Sequence, residues 1–225
     1  MKDIILNFNQ RIFAFLGLFV IVILVGFWCF QTLKSIEKTI SFELKYNMSN
    51  LENKKIVMII AFRDFRDEEY FTPREILEKA GAEIKTASNK IGTAIGADGG
   101  EVGIDLLVSE LNPAEFDAVV FIGGPGCLKN LDNEDSYKVA KETISQNKVL
   151  AAICISSTIL AKAGVLQGKK ATVWSSIMDK SAVKILKEKG AIYQDTPVVV
   201  DGKIITGSGP AAAKEFGEAI IKALQ

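Results

Sequence analysis

Residues 149–164, VLAAICISSTILAKAG, form an apolar run that stops at Cys154 and turns into a helix. A residue at such a corner points its side chain at the first unpaired N–H groups of the helix. The helix dipole favours an anion there, so a thiol leans toward thiolate. A second corner of this kind is Phe121-Ile122-Gly123-Gly124-Pro125-Gly126. Its glycines let the backbone approach a ligand and present N–H groups that can hold a negatively charged oxygen. Each corner also has a plainer reading, a buried structural cysteine in one case and a tight strand-to-helix turn in the other. Cysteine nucleophiles ordinarily borrow an imidazole, and the 225 residues contain no histidine. A Cys-His pair or triad is therefore excluded, within one chain and within any homo-oligomer. Peptide hydrolysis needs a general acid for the leaving amine, which argues against a conventional protease.

The elements that must position these corners follow from the hydrophobic pattern after Lys55. KIVMIIAF is a continuous apolar run, as expected of a strand buried on both faces of a parallel sheet. TPREILEKAG predicts a helix capped by Thr72, with Pro73 at its first position, Glu75 completing a capping box and Gly81 ending it. AEIKTAS is the next strand, and IGTAIGADGGEVGIDLLVSEL reads as short antiparallel strands around tight turns. FDAVVFIGGPG predicts a central strand, DSYKVAKETISQ a helix and KVLAAIC the strand that delivers Cys154. Asp201-Gly202 between two apolar runs predicts a hairpin, and AAAKEFGEAIIKAL a closing helix. The alternation implies an α/β three-layer sandwich around a mostly parallel, flavodoxin-like sheet, with ligands at the C-terminal ends of its strands.

The glycine turn and the cysteine elbow, in this order and at this spacing, resemble the DJ-1/PfpI family within the class I glutamine amidotransferase-like superfamily. The segments AGAEIKTAS, GTAIGADGGEVGIDLLVSEL, AGVLQGKKATVW and PVVVDGKIITGSGPAAAKEFGEAIIKAL extend the likeness from about Lys55 to Leu224. The resemblance implies Cys154 as nucleophile and Gly123, Gly124 and the backbone of Ile155 on the oxyanion side. It also implies an acid after the first strand that hydrogen-bonds the sulfur. Aligning on the phenylalanine and the later proline places that acid at Asp64, with Asp67 or Glu68 as alternatives if the register slips. Aspartate is one methylene shorter than the glutamate usual in the family. Many protease-like members carry histidine after the cysteine, where this chain has Ile155, followed by Ser156 and Ser157. Those serines fit either stabilisation of a bound carbonyl or oxidised sulfur, or ordinary first-turn capping. Cys127 fits a resolving thiol or a bystander.

Members without that histidine rely on a cysteine–carboxylic acid pair. This implies carbonyl chemistry of the glyoxalase or deglycase type, or redox sensing, on a small carbonyl compound or an oxidant. The competing expectation is a non-catalytic binding or assembly domain. The resemblance also implies a homodimer, with no interface identified and no cofactor required. Cys29, Cys127 and Cys154 have neither disulfide-framework nor metal-ligand spacing, so no metal is expected.

The N-terminus has a different character. Ile12 to Phe30 is 19 residues without a charge, and as a helix it would nearly span a hydrocarbon core of ~30 Å. The bulky GFWCF that ends it argues against a cleaved signal peptide. The expectation is a tail over 1–11, a transmembrane signal anchor over 12–30, a juxtamembrane linker over 31–54 and the DJ-1/PfpI-like domain over 55–225. The protein would then be a single-pass membrane protein. Lys2 and Arg11 on one side against Lys34, Lys38 and Lys45 on the other leave open which side the globular domain occupies. Without the first thirty residues the chain has 25 basic and 26 acidic residues and no basic cluster, so no nucleic-acid partner is expected.

Overall fold

The structure, a computed structural model, describes residues 28, 30–38 and 51–225. The chain divides into two units, Met1–Met48 and Ser49–Gln225. In the first, residues 28 and 30–38 are helical and mostly exposed. The expected span over 12–30 lies, apart from Trp28 and Phe30, outside the described residues. Among the described residues no helix is long and apolar enough to cross a membrane. The stretch 30–38 carries Lys34, Glu37 and Lys38 and is far shorter than the ~20 apolar residues a crossing needs. The single-pass membrane assignment is therefore withdrawn. The second unit starts before the expected boundary. Leu51 is fully buried and its N–H donates to Ala80 O at 2.8 Å, which ties the end of the supposed linker to the globular part.

That part contains twelve strands, β1 (Lys55–Ile59), β2 (Arg63–Phe65), β3 (Glu83–Ser88), β4 (Thr93–Gly96), β5 (Glu101–Gly103), β6 (Leu106–Leu107), β7 (Ala118–Phe121), β8 (Val149–Ile153), β9 (Lys170–Ala171), β10 (Ile192–Tyr193), β11 (Val198–Asp201) and β12 (Ile204–Gly207). Its helices are α1 (Asp67–Lys79), α2 (Cys127–Leu131), α3 (Glu134–Ser145), α4 (Ser157–Lys162), α5 (Ser181–Glu188) and α6 (Ala213–Leu224). Seven strands form the main sheet in the order β11-β12-β8-β7-β1-β3-β6. All its pairings are parallel except β11 with β12, the hairpin turned at Gly202. β1, β7 and β8 sit at the centre, and nearly all their residues are buried, which is why they read as unbroken apolar runs. Helices α1 and α6 pack together on one face, while α3 and α4 lie against each other on the other. A methyl on Gly217 of α6 would lie 3.1 Å from Pro73 Cα of α1, so the bare glycine lets the two helices approach.

Two local differences from the sequence reading matter for the site. The helix expected from Thr72 begins five residues earlier, at Asp67, and Pro73 lies inside it. Asp67, Glu68 and Glu69 occupy the first turn, where the positive end of the helix stabilises acids, and this offsets the backbone hydrogen bond that Pro73 cannot make. The cysteine corner also does not turn straight into an α-helix. Residues Cys154–Ser156 make a 3₁₀ turn before α4.

Candidate active site

The centres of the sheet set the site, because β1, β7 and β8 end side by side and each releases a loop at its C-terminal edge. Cys154 follows β8 directly with φ of +64°, a left-handed conformation uncommon for a residue with a side chain. Such a conformation costs on the order of 1–3 kcal/mol and persists only where its surroundings impose it. Here Ser156 imposes it. Its buried Oγ accepts from Ile153 N–H at 3.1 Å and lies 2.9 Å from Phe121 O and 2.7 Å from Ile153 O, either of which can take its proton. Ser156 thus pins the elbow to the end of β7, and its hydroxyl is spent on the backbone. Trp174 N–H reaches Cys154 O at 3.4 Å.

The glycine turn after β7 meets β2 and the residue that follows it. Arg66 N–H donates to Gly123 O at 3.1 Å, and Gly126 N–H donates to Asp64 O at 2.9 Å. Gly123 N–H donates to Glu69 Oε2 at 3.1 Å. A methyl on Gly123 would fall 2.7 Å from both Cys154 Cβ and Glu69 Oε2, so that glycine is the gap through which the carboxyl reaches the cysteine. The acid beside the sulfur is therefore Glu69. Asp64 is exposed, sits at φ +59° and contributes only its carbonyl. Glu68 is exposed. Asp67 turns away from the sulfur and accepts from Asp98 N–H at 2.8 Å and Gly100 N–H at 2.6 Å, clamping the β4–β5 turn. Removing that clamp with Asp67→Ala is expected to cost about 1–3 kcal/mol in urea unfolding, because it strands two turn N–H groups. An unchanged midpoint would remove the clamp from the account.

Glu69 is fully buried, and burial pushes its carboxyl up from 4.5 to about 7. The Cys154 side chain, the Gly123 N–H and the Arg66 charge pull the other way and do not overcome it. Oε1 has no hydrogen-bond partner of ordinary geometry, which makes it the oxygen free to hold a proton. Burial also pushes the Cys154 thiol up, and an ionised Glu69 pushes it further, while the Ile155 and Gly124 N–H groups pull it down. Two adjacent buried groups of this kind do not both ionise near neutrality, so the pair carries at most one negative charge and titrates as a unit.

These groups face a cavity of about 310 Å³, lined by Arg66, Glu69, Gly124, Pro125, Leu128, Cys154, Ile155, Trp174 and Pro210. Of the residues singled out from sequence, Cys154, Gly124 and Ile155 line it together. Gly123 abuts it with its N–H already committed to Glu69. Ser156 and Ser157 are fully buried and outside its lining, and the Ser157 Oγ has no partner. Cys127 is fully buried outside the lining, with its thiol pushed up chiefly by burial. Among the described residues no cluster of three or more histidine, cysteine, aspartate or glutamate side chains has the geometry to hold a metal.

A mostly parallel α/β sandwich with a left-handed cysteine elbow, a facing glycine turn and a buried glutamate defines a class of cysteine-site α/β proteins. The DJ-1/PfpI family profile matches residues 54–223, and the chain belongs to that family. A Methanocaldococcus jannaschii protein is 40% identical over 177 residues, which cover 78% of this chain and 85% of that one. A protein of Pyrococcus abyssi named as a deglycase is 34% identical over 169 residues, 75% of this chain and 99% of its own length. Among solved structures, the ThiJ/PfpI domain protein of Brachyspira murdochii superposes with a TM-score of 0.72 at 36% identity. That superposition covers 77% of this chain and 97% of the other.

Proposed function

We propose that the protein is a cysteine-dependent enzyme of the glyoxalase or deglycase type, acting on a small carbonyl compound through Cys154. The observation that carries this reading is the buried Glu69 carboxyl, whose free Oε1 can hold a proton beside a sulfur faced by two backbone N–H groups. The name of the Pyrococcus abyssi relative points the same way. When Glu69 keeps the shared proton it can donate to the sulfur, and the negative charge then resides on the thiolate. The thiolate electron pair forms a C–S bond to an aldehyde carbon, and the C=O π pair moves to oxygen. Gly124 and Ile155 N–H are the donors available to that oxygen, and the Glu69 proton neutralises it to give a hemithioacetal. With a 2-oxoaldehyde, the carboxylate left behind can carry the C1 proton to C2 while the C1 hydroxyl proton passes to the C2 oxygen, giving a 2-hydroxyacyl thioester that water cleaves. The sum is one 2-oxoaldehyde plus one water to one 2-hydroxy acid, with no external oxidant. The same thiolate can be oxidised by a peroxide to sulfenic or sulfinic acid, which would serve a redox sensor.

Turnover of methylglyoxal tests the reading. Cys154→Ser is expected to lose at least about a hundredfold in kcat, in line with removal of a covalent nucleophile. Cys127→Ala should retain turnover. A wild type without turnover, whose Cys154 reacts with iodoacetamide no faster than Cys127, would leave the alternative of a non-catalytic binding domain. The absence of any histidine to act as base favours that alternative.

A further inference from the structure

We infer that Arg66 makes the cavity selective for carbonyl compounds that carry a carboxylate. The inference rests on the reading of Cys154 as the reacting group and adds the substrate class. Arg66 is the only lining residue with a fixed positive charge; the others are Glu69, two prolines, Gly124, Leu128, Cys154, Ile155 and Trp174. Its backbone is held where the end of β2 meets the glycine turn, by the N–H bond to Gly123 O, and it is the residue before α1. Arg66 lines the same cavity as the sulfur, and its charge is near enough to Glu69 to pull that carboxyl down.

Arg66 is only partly committed elsewhere. Its Nη1 pairs with Asp98 Oδ2 at 3.2 Å and Oδ1 at 3.5 Å, and the Asp98 side chain is 61% exposed, so that pair is weakened by water and salt. A guanidinium has five N–H donors in a planar fork, and one exposed contact at Nη1 leaves others for an anion in the cavity. The charged groups near the guanidinium are Asp98, its ion-pair partner, and the Glu69–Cys154 pair, whose carboxyl its charge pulls down. A neutral carbonyl compound would gain at most a single hydrogen bond from Arg66, without the charge pairing a carboxylate adds. A carboxylate placed on the carbon next to the carbonyl would meet the guanidinium while the carbonyl carbon faces the sulfur. The remaining walls are apolar and the space is small, so the fit is to a short chain of a few carbons rather than to a long or strongly polar one.

Two experiments separate this inference from the reading beneath it. In the full-length Trp28→Phe, Cys154→Ser protein, Trp174 in the cavity wall reports binding by fluorescence and no covalent chemistry intervenes. Pyruvate is expected to bind about tenfold more tightly than methyl pyruvate, the gain typical of a charge-assisted contact at a partly exposed site. Arg66→Gln should bring the two within about twofold, and Asp98→Asn should widen the preference by freeing the guanidinium. A role for Arg66 in folding alone would move neither ratio. Equal binding, no binding, or a preference that survives Arg66→Gln overturns the inference. In the Cys154-intact protein, iodoacetate and iodoacetamide alkylate the same thiolate, so the ratio of their rates cancels its ionisation. That ratio should fall about tenfold in Arg66→Gln. An inert Cys154 alongside a pyruvate preference would sink the catalytic reading and leave the anion site standing.

Discussion

Glu69→Leu is expected to slow alkylation of Cys154 by iodoacetamide at pH 6 by about tenfold or more, and Glu69→Gln by no more than about threefold. Leucine removes the donor from the sulfur and also strands the Gly123 N–H that Oε2 now accepts at 3.1 Å. Glutamine keeps an acceptor for Gly123 and an N–H for the sulfur. Wild type should also reach its alkylation plateau below the pH at which an ordinary thiol does, because the pair sheds its first proton as a unit. A wild-type profile with its midpoint near that of a free thiol, about 8.5, and unmoved by leucine would remove Glu69 from the chemistry. Stability supplies an independent check with a definite sign. The folded carboxyl is raised from 4.5 to about 7, so between those values the folded chain holds a proton that the unfolded chain has released. The contribution of Glu69 to stability is accordingly greatest below 4.5 and falls as the pH rises through 7. The difference is worth about 3 kcal/mol, and Glu69→Gln should gain roughly that much on wild type between pH 4.5 and pH 8. Urea midpoints across this window measure it, and a pH-independent difference between the two proteins contradicts it.

Gly124→Ala and Gly126→Ala are each expected to destabilise the fold by about 3 kcal/mol or more. A methyl on Gly126 would lie 1.9 Å from Arg63 O, and one on Gly124 would lie 2.3 Å from Arg66 N and 2.6 Å from Asp64 O. These are backbone atoms of β2 and of the residue that follows it, fixed by their own hydrogen bonds, so they have nowhere to retreat. Gly124 has the further handicap of φ +112°, which a side chain resists. Gly99 provides the comparison. Its φ is +94° but nothing lies within 4 Å of an added methyl, so Gly99→Ala should cost only the backbone strain, about 1 kcal/mol. If Gly124→Ala and Gly99→Ala unfold at similar denaturant concentrations, the close approach of the two loops is not what holds the site.

The strands of the sheet centre and the elbow were legible because burial on both faces leaves an unmistakable apolar run, as in KIVMI and VLAAI. The acid was not. Thr72-Pro73 mimics a helix start so well that the three acids before it look like loop residues, and Asp64 then becomes the nearest match to the family pattern. Extending the helical period backward would have found it, since Glu69, Tyr70, Pro73 and Leu77 are the buried residues of α1 and recur at one helical face. A charged residue among the apolar members of that face is the signal. The role of Ser156 was hidden for a different reason. A hydroxyl that ties two strand ends together looks, in sequence, the same as one that caps a helix.

The backbone of the site is closed by contacts among the segments 64–66, 121–126 and 153–156, and most of the groups that close it are main-chain atoms. The side chain of residue 155 takes no part in those bonds. What stands at 155 can therefore change without displacing the sulfur, which separates inheritance of the architecture from inheritance of the chemistry. A lineage built on such a frame can trade a base for an isoleucine and still present a cysteine at the same point, so its reactions can diverge by single substitutions while its scaffold stays put.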